Sequence, residues 1–287
     1  MFVADRVWRI VMRTAILAAV ASVTVVPWAG AGETRSTTGT DPNLRPIEIT
    51  ILYDNYKRQE DCRTDWGFSC LIAGFEKTIL FDTGTRGDIL LENIDKLHIN
   101  VEDVNLVVIS HDHGDHTGGL ATFLDRRGGV DVCLPKSASK RLVQAAGTRG
   151  ANPVIVDGPH QLCEHAHLTG PVGTAIIEQA VVLDTTKGLV VITGCAHPGV
   201  VQIVRRAKET LGKDVYLVMG GFHLLDKSDA QVRAIIGQLR DLGVKRAGPS
   251  HCTGEKAIAL FKQAYGGDFV PLGVGKLDLP LEWTAKP

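Results

Sequence analysis

An α/β fold, with two sheets packed face to face and helices on each outer side, is what this sequence predicts. Three observations carry that expectation. Aliphatic, β-branched runs alternate with segments of helical periodicity along most of the chain. No low-complexity segment, long linker or short repeat divides it, and 287 residues with 44% hydrophobic content suit one large domain. Histidines and aspartates, finally, recur directly behind the apolar runs, where an α/β architecture gathers its ligand-binding loops.

In chain order, IEITILYDN (from Ile47), GFSCLIAGF and KTILFDTG read as strands, the last two joined as a hairpin around Glu76 and Lys77. RGDILLENIDKLHI carries apolar residues at helical spacing, and VNLVVIS has the look of a fully buried strand. A helix from about Gly119 follows, then the strand VDVCLP, the helix SASKRLVQAAG and the strand NPVIVDG. The second half repeats the theme. Strands TAIIEQAVVLD and GLVVITG lead to the helix GVVQIVRRAKETLG, the strand VYLVMGG, the helix DAQVRAIIGQLRDLG, the strand KRAGPS and the helix EKAIALFKQAYG.

The N-terminal stretch differs in kind. Arg6, Arg9 and Arg13 precede the apolar TAILAAVASVTVV, and WAGAGE then offers Ala29 and Ala31 at the small-residue positions of a cleavage site. That order predicts a signal peptide over residues 1–31, a flexible polar leader over 32–46 and a folded domain over 47–287. The alternative, an uncleaved membrane anchor, is disfavoured because Pro27 and Gly30 break the apolar run. Protein recovered from the periplasm or the medium is therefore expected to begin near Gly32. Its mass checks this, and an intact Met1 there would overturn it.

A formal net charge of −1 makes no electrostatic case for nucleic acid or a membrane surface as partner. Six cysteines in an exported chain raise the question of disulfides, with Cys62–Cys70 and Cys133–Cys163 as the pairs that could bridge. Cys195 and Cys252 stand apart, since each lies beside a histidine-bearing motif.

The chemistry concentrates in VVISHDHGDHTGGL, residues 107–120, which sets three of the ten histidines and two aspartates behind a β-branched run. His111 and His113 are separated by one residue, so an extended backbone aims both to one side. Asp115 and His116 fall at the turn into the next helix and can present a further ligand pair. Three more loops bring histidine behind an apolar strand: Cys195 and His197 after VVITG, His223 after YLVMGG, and His251 after AGPS. Imidazole and carboxylate together suit zinc, iron or manganese.

SHDHGDHTGG resembles the His-x-His-x-Asp-His signature of the metallo-β-lactamase superfamily, and ILFDTG resembles the strand that precedes it there. DWGFSCLI, EQAVVLDTTKGLVVITGCAHPG, GGFH and PSHCTGEKAI are similar to one branch of that superfamily, labelled after a pterin-linked ribofuranosylaminobenzene phosphate synthase. The resemblance implies an αββα sandwich of two mixed sheets flanked by helices, with a dinuclear metal edge. Carried over, His111 and His113 would hold the first ion; Asp115, His116 and His251 would hold the second. Asp82 would support these ligands from behind, the alternative being ordinary turn capping.

Two departures from the superfamily pattern matter. Cys195 stands where a metal-bridging aspartate is usual, and either ligates metal or packs beneath the site as a small apolar residue. The usual third histidine of the first ion lies well upstream of that strand. His197 is the favoured replacement here, with His165 and His167 of PHQLCEHAHL as outsiders. His223 is assigned to catalysis, touching substrate or supporting the ligands, although a satisfied, partly buried histidine is the competing reading.

Two divalent ions, zinc foremost, would lower the pKa of bound water and yield hydroxide without a strong base, with Asp115 orienting it. The sequence carries no Gly-x-Ser-x-Gly nucleophile motif, and its Ser-x-x-Lys match, Ser137 to Lys140, lies outside the histidine-bearing loops, so nothing there supports an acyl-enzyme. The expectation is a hydrolase acting on an ester-type or phosphoester bond of a small molecule. Two other classes stay open: a metal-bound sensor or ligand-binding module with little turnover, and a synthase-like enzyme. The basic pairs Arg126-Arg127 and Arg205-Arg206 read as solvated helix faces.

Overall fold

The computed structural model describes residue 41 and residues 43–285. The anticipated signal peptide and most of the leader lie outside these residues. Among those described, no helix is long and apolar enough to cross a membrane.

The first half builds one mixed sheet. It comprises β1 (Leu44–Tyr53), β2 (Ser69–Ala73), β3 (Thr78–Phe81), β4 (Val104–Val108), β5 (Asp131–Pro135) and β6 (Asn152–Val156), neighbours in that order. β1, β2 and β3 pair antiparallel, β3 through β6 parallel. Helices α1 (Gly87–Lys96), α2 (Gly114–Thr117), α3 (Leu120–Arg126) and α4 (Lys140–Gly147) connect them.

The second sheet follows with β7 (His160–Cys163), β8 (Ala166–Leu168), β9 (Val181–Thr185), β10 (Gly188–Thr193), β11 (Val215–Gly221) and β12 (Arg246–Ser250), again in sequential order. Its last three strands are parallel and are linked by α5 (Val200–Leu211) and α6 (Asp229–Asp241). After α7 (Glu255–Tyr265) the chain returns to the first sheet. There β13 (Gly275–Lys276) and β14 (Leu281–Thr284) both pair antiparallel with β1.

Strand alternation sorts the side chains into three apolar layers. In β10, Val190 and Ile192 enter the core between the sheets, while Leu189 and Val191 face α5, α6 and α7. In β4, Leu106 and Val108 enter the same central core, while Val107 meets the layer under α1, α3 and α4. Helices thus cover the outer face of each sheet, which is the expected αββα sandwich.

Some expectations need correction. TAIIEQAVVLD becomes strand only from Val181, because Glu178 and Gln179 turn inward and spend their side chains on backbone groups of other segments. The helix expected from Gly119 is preceded by the separate short turn α2. PHQLCEHAHL forms the β7–β8 hairpin, and the first strand opens at Leu44, ahead of Ile47. All six cysteines are free and buried. Cys70, Cys133 and Cys163 serve the central core as apolar residues instead of bridging.

Candidate metal centre

The carboxyl ends of the parallel strands meet at one edge of the sandwich, and that edge holds the reactive residues. Asp82 follows β3, the loop His111–His116 follows β4, and Cys195 and His197 follow β10; His223 follows β11 and His251 follows β12. Three groups of donor atoms result, all containing Cys195, and two of them consist of predicted metal ligands only. Asp115, His116, Cys195 and His251 place their donor atoms within 4.8 Å of one another, as do His111, Cys195 and His197. Cys195 belongs to both. His113 lies beside the second group, its ring centroid 4.5 Å from that of His111 and 4.8 Å from that of His197, although its donor atoms are not grouped with theirs.

The histidines are oriented from behind. Asp82, fully buried, accepts the Ser110 N–H at one oxygen (2.7 Å) and, at the other, the Ser110 hydroxyl (2.7 Å) and His116 Nδ1 (2.7 Å). The Ser110 hydroxyl also lies 2.9 Å from His111 Nδ1, so one carboxylate orders a histidine of each group. His251 Nδ1 lies 3.1 Å from the Asn55 amide oxygen. With Nδ1 engaged, Nε2 is the atom each ring turns to the site, the arrangement by which outer partners set a metal ligand's tautomer.

Donor chemistry fits divalent cations. The Nε2 atoms of His111 and His197 are buried with no hydrogen-bond partner, a costly state for a polar atom unless a cation takes its lone pair. Burial and the neighbouring imidazoles hold His111 well below the usual histidine range, and burial with His223 and His113 brings His197 down to about 4; both present free lone pairs. Burial works the same way on His116, but Asp82 outweighs it and raises the group to about 9. The field that keeps a proton on that ring equally favours a metal cation. Burial opposes ionisation of Asp115, yet its hydrogen bond with His251 and the charge of His116 keep it below the ordinary carboxylate range.

The second-half ligands owe their place to a residue whose role the sequence did not disclose. Glu178, fully buried, accepts the N–H groups of Cys195 (2.9 Å) and Ala196 (2.8 Å) at one oxygen and that of His197 (3.0 Å) at the other. Burial pushes its carboxyl up to about 7, against the three N–H donors that favour its charge. The grip holds Ala196 in a left-handed conformation, φ +59°. Asp82, His223 and His251 share that region, at φ +56°, +51° and +48°. Such backbone costs about 1–3 kcal/mol per residue and survives only where the surroundings over-determine it. Gly194 is needed for another reason: a Cβ there would collide with the Ser110 hydroxyl and lie 2.9 Å from Asp82 Oδ2.

Residues 67–251 match the sequence profile of the metallo-beta-lactamase superfamily. The chain belongs to the metallo-beta-lactamase superfamily. It is 30% identical over 260 residues to a 7,8-dihydropterin-6-methyl-4-(beta-D-ribofuranosyl)-aminobenzene-5'-phosphate synthase of Methanocaldococcus jannaschii, covering 74% of this chain and 88% of that one. A crystal structure of a metal-dependent hydrolase of the beta-lactamase superfamily superposes with a TM-score of 0.69 at 30% identity, over 82% of this chain and 99% of that one. The metallo-beta-lactamase fold protein YhfI of Bacillus subtilis shares the fold with a TM-score of 0.59 at 13% identity, over 80% and 98% of the two chains.

His197 is the histidine whose donor atom groups with those of His111 and Cys195, and His165 and His167 belong to no such group among the described residues. His165 lies against Trp283, ring centroids 5.0 Å apart, and beside Asp184, while His167 pairs along β8 with Val182. His223 is exposed, its ring 4.2 Å from that of His197, and its donor atom groups with those of Cys195 and Cys252. Cys252, Asn55 and Trp66 are further site residues that the sequence reading left unassigned. The Trp66 indole N–H donates to Asp115 Oδ2 at 2.9 Å, and its ring lies 4.9 Å from that of His251. Asn55 had a legible signal, since YDN ends an apolar strand as the histidine motifs do. Glu178 had only its position inside an apolar run.

Cys195 is the residue that separates this chain from the superfamily's usual bridge. Its Sγ lies 3.2 Å from His116 Nε2. Its hydrogen bond with Cys252 and its burial hold the thiol well above the usual range. A nearby divalent cation reverses that balance by stabilising the thiolate. If the sulfur ligates, Cys195→Ser is expected to lose metal while Cys195→Asp keeps part of it. If it only packs, Ser retains full metal and Asp, burying a charge, is the harmful change. Metal analysis of the two variants decides, and a sulfur well beyond the ~2.3 Å zinc–thiolate distance in a metal-loaded crystal would count against ligation.

Proposed function

We propose that the protein is a hydrolase that uses two divalent metal ions on an ester-type or phosphoester bond of a small molecule. The observation that carries this reading is the pair of ligand groups meeting at Cys195, with the buried Nε2 atoms of His111 and His197 left without a hydrogen-bond partner. His111, His113 and His197 would hold one ion, Asp115, His116 and His251 the other, with Cys195 between them. A thiolate among imidazoles and carboxylate favours zinc, with iron or manganese as alternatives. Ions so held supply Lewis acidity and a water whose pKa is brought toward neutrality.

The chain's own residues do the rest. Asp115, fixed by the Trp66 indole and by His251, is placed to orient the attacking water. Asp82 and Ser110 keep His116 and His111 in one rotational setting. His223, exposed beside His197, is placed to touch the substrate.

The test is metal analysis of purified protein combined with a panel of phosphodiester, lactone, thioester and β-lactam reporters. About two metal equivalents and turnover of at least one class, lost on chelation and restored by zinc, are expected. Fully loaded protein that is inert across the panel would sink the hydrolase reading and leave a sensor or binding module. The similarity to the Methanocaldococcus jannaschii synthase favours a second reading, a synthase-like enzyme acting on a phosphorylated pterin precursor. Export, supported by the order of charged, apolar and small residues before Gly32, argues against that one.

A further inference from the structure

Beside the metal edge lies a cavity of about 610 Å³, within the ~300–1,000 Å³ usual for small-molecule sites. His197 and His223 are among its lining residues, so whatever fills it adjoins the ligand group of His111, Cys195 and His197. Its walls are apolar: Val200 and Val201 from the start of α5, Phe222 and Leu224 after β11, and Ile235 from α6.

The charges are one-sided. Arg205 and Lys227 line the cavity and no acidic residue does. Arg205 is exposed and has no ion-pair or hydrogen-bond partner among the described residues. Lys227 meets only its neighbour Asp226, an exposed pair at 3.0 Å that contributes little. The positive end of α5, which opens at Gly199 without a side-chain cap, faces the same space. Arg205, read from sequence as part of a solvated helix face, is indeed exposed, and it also lines this cavity as a cation without a counter-ion among the described residues.

We propose that this cavity holds the non-reacting part of the substrate, and that this part is an apolar body ending in an anionic group, a carboxylate or a phosphate, received by Arg205. The assignment rests on the hydrolase reading for what happens to the substrate, but the binding it predicts does not require turnover.

Two dyes of one shape separate the contributions: 1-anilinonaphthalene-8-sulfonate, an apolar anion, and N-phenyl-1-naphthylamine, which lacks the sulfonate. Fluorescence titration of the zinc-loaded protein is expected to show both bound. Arg205→Glu should weaken the anionic dye at least about tenfold, the size of one charge-assisted contact, and the neutral dye by less than about twofold. Arg233→Glu, an equal charge change on α6 outside the cavity, should leave both bound as before. Retained neutral-dye binding also certifies that the Arg205 variant is folded. Phenyl phosphate and 3-phenylpropionate are then tested as competitors. Displacement of the anionic dye by either supports the proposal and identifies the preferred anion. Failure of both to displace it, or equal affinity of the anionic dye for wild type and Arg205→Glu, would overturn it. Arg205-dependent binding without turnover would remove the hydrolase reading alone; turnover without Arg205-dependent binding would remove this proposal alone.

Discussion

Alanine in place of His116 is expected to remove metal and turnover together. The ring offers Nε2 to the group shared with Asp115, Cys195 and His251, and its Nδ1 occupies a carboxylate oxygen of buried Asp82. Losing an outer partner of a metal ligand typically costs ~10–100-fold in affinity or activity, and losing the ligand itself should cost more. The variant also leaves Asp82 with one partner fewer in the interior, a penalty of about 1–3 kcal/mol that should lower the unfolding temperature even without metal. His251→Ala should lose metal in the same way. His165→Ala is the control: its ring lies off the site against Trp283, so whatever the change does to stability, it should keep full metal. Metal content by mass spectrometry and thermal unfolding measure all three. A metal equivalent lost in His165→Ala but not in His197→Ala would show the third imidazole to be misassigned.

Glu178→Ala should be the most damaging change outside the ligands. It strips three backbone N–H groups, those of Cys195, Ala196 and His197, of their only described acceptor, in a place water does not reach. At about 1–3 kcal/mol per unsatisfied group, the folded state should lose at least ~3 kcal/mol. The loop bearing Cys195 and His197 should also lose its left-handed turn, so metal at the His111–His197 group should fall with stability. Glu178→Gln is the milder probe. Its amide oxygen can serve two of the three donors, while its NH₂ meets the third N–H donor to donor. An ordering of wild type, Gln, then Ala in both metal content and unfolding temperature is expected. Glu178→Ala with wild-type values of both would show that the loop holds itself.

The sandwich and most of its site could be read in the chain because the signals were local. The VVITG and YLVMGG runs announce buried strands, and the topology of parallel strands sends whatever follows them to one edge. His111, His113 and His116 announce themselves by spacing. Glu178 does not, because a carboxylate within AIIEQAVV looks the same whether it faces solvent or three backbone amides. The partnership is made across a loop reversal that no periodicity encodes. β13 and β14 escaped for a related reason: each is short and finds its partner in β1, more than two hundred residues away. Cys62 and Cys70 illustrate the converse, being near in sequence yet committed to separate packing.

The two ligand groups draw on both sheets. His111 through His116 descend from β4 in the first, while Cys195, His197 and His251 descend from β10 and β12 in the second. Ions seated there would act as rivets across the seam between the halves, and their supply would enter the folding equilibrium by mass action. Each ion that binds only the folded chain adds about 2.7 kcal/mol at a free concentration one hundred times its dissociation constant. Scarcity of metal would then shorten the life of the folded protein as well as silence its chemistry, so that the amount of folded protein would track the supply of divalent metal.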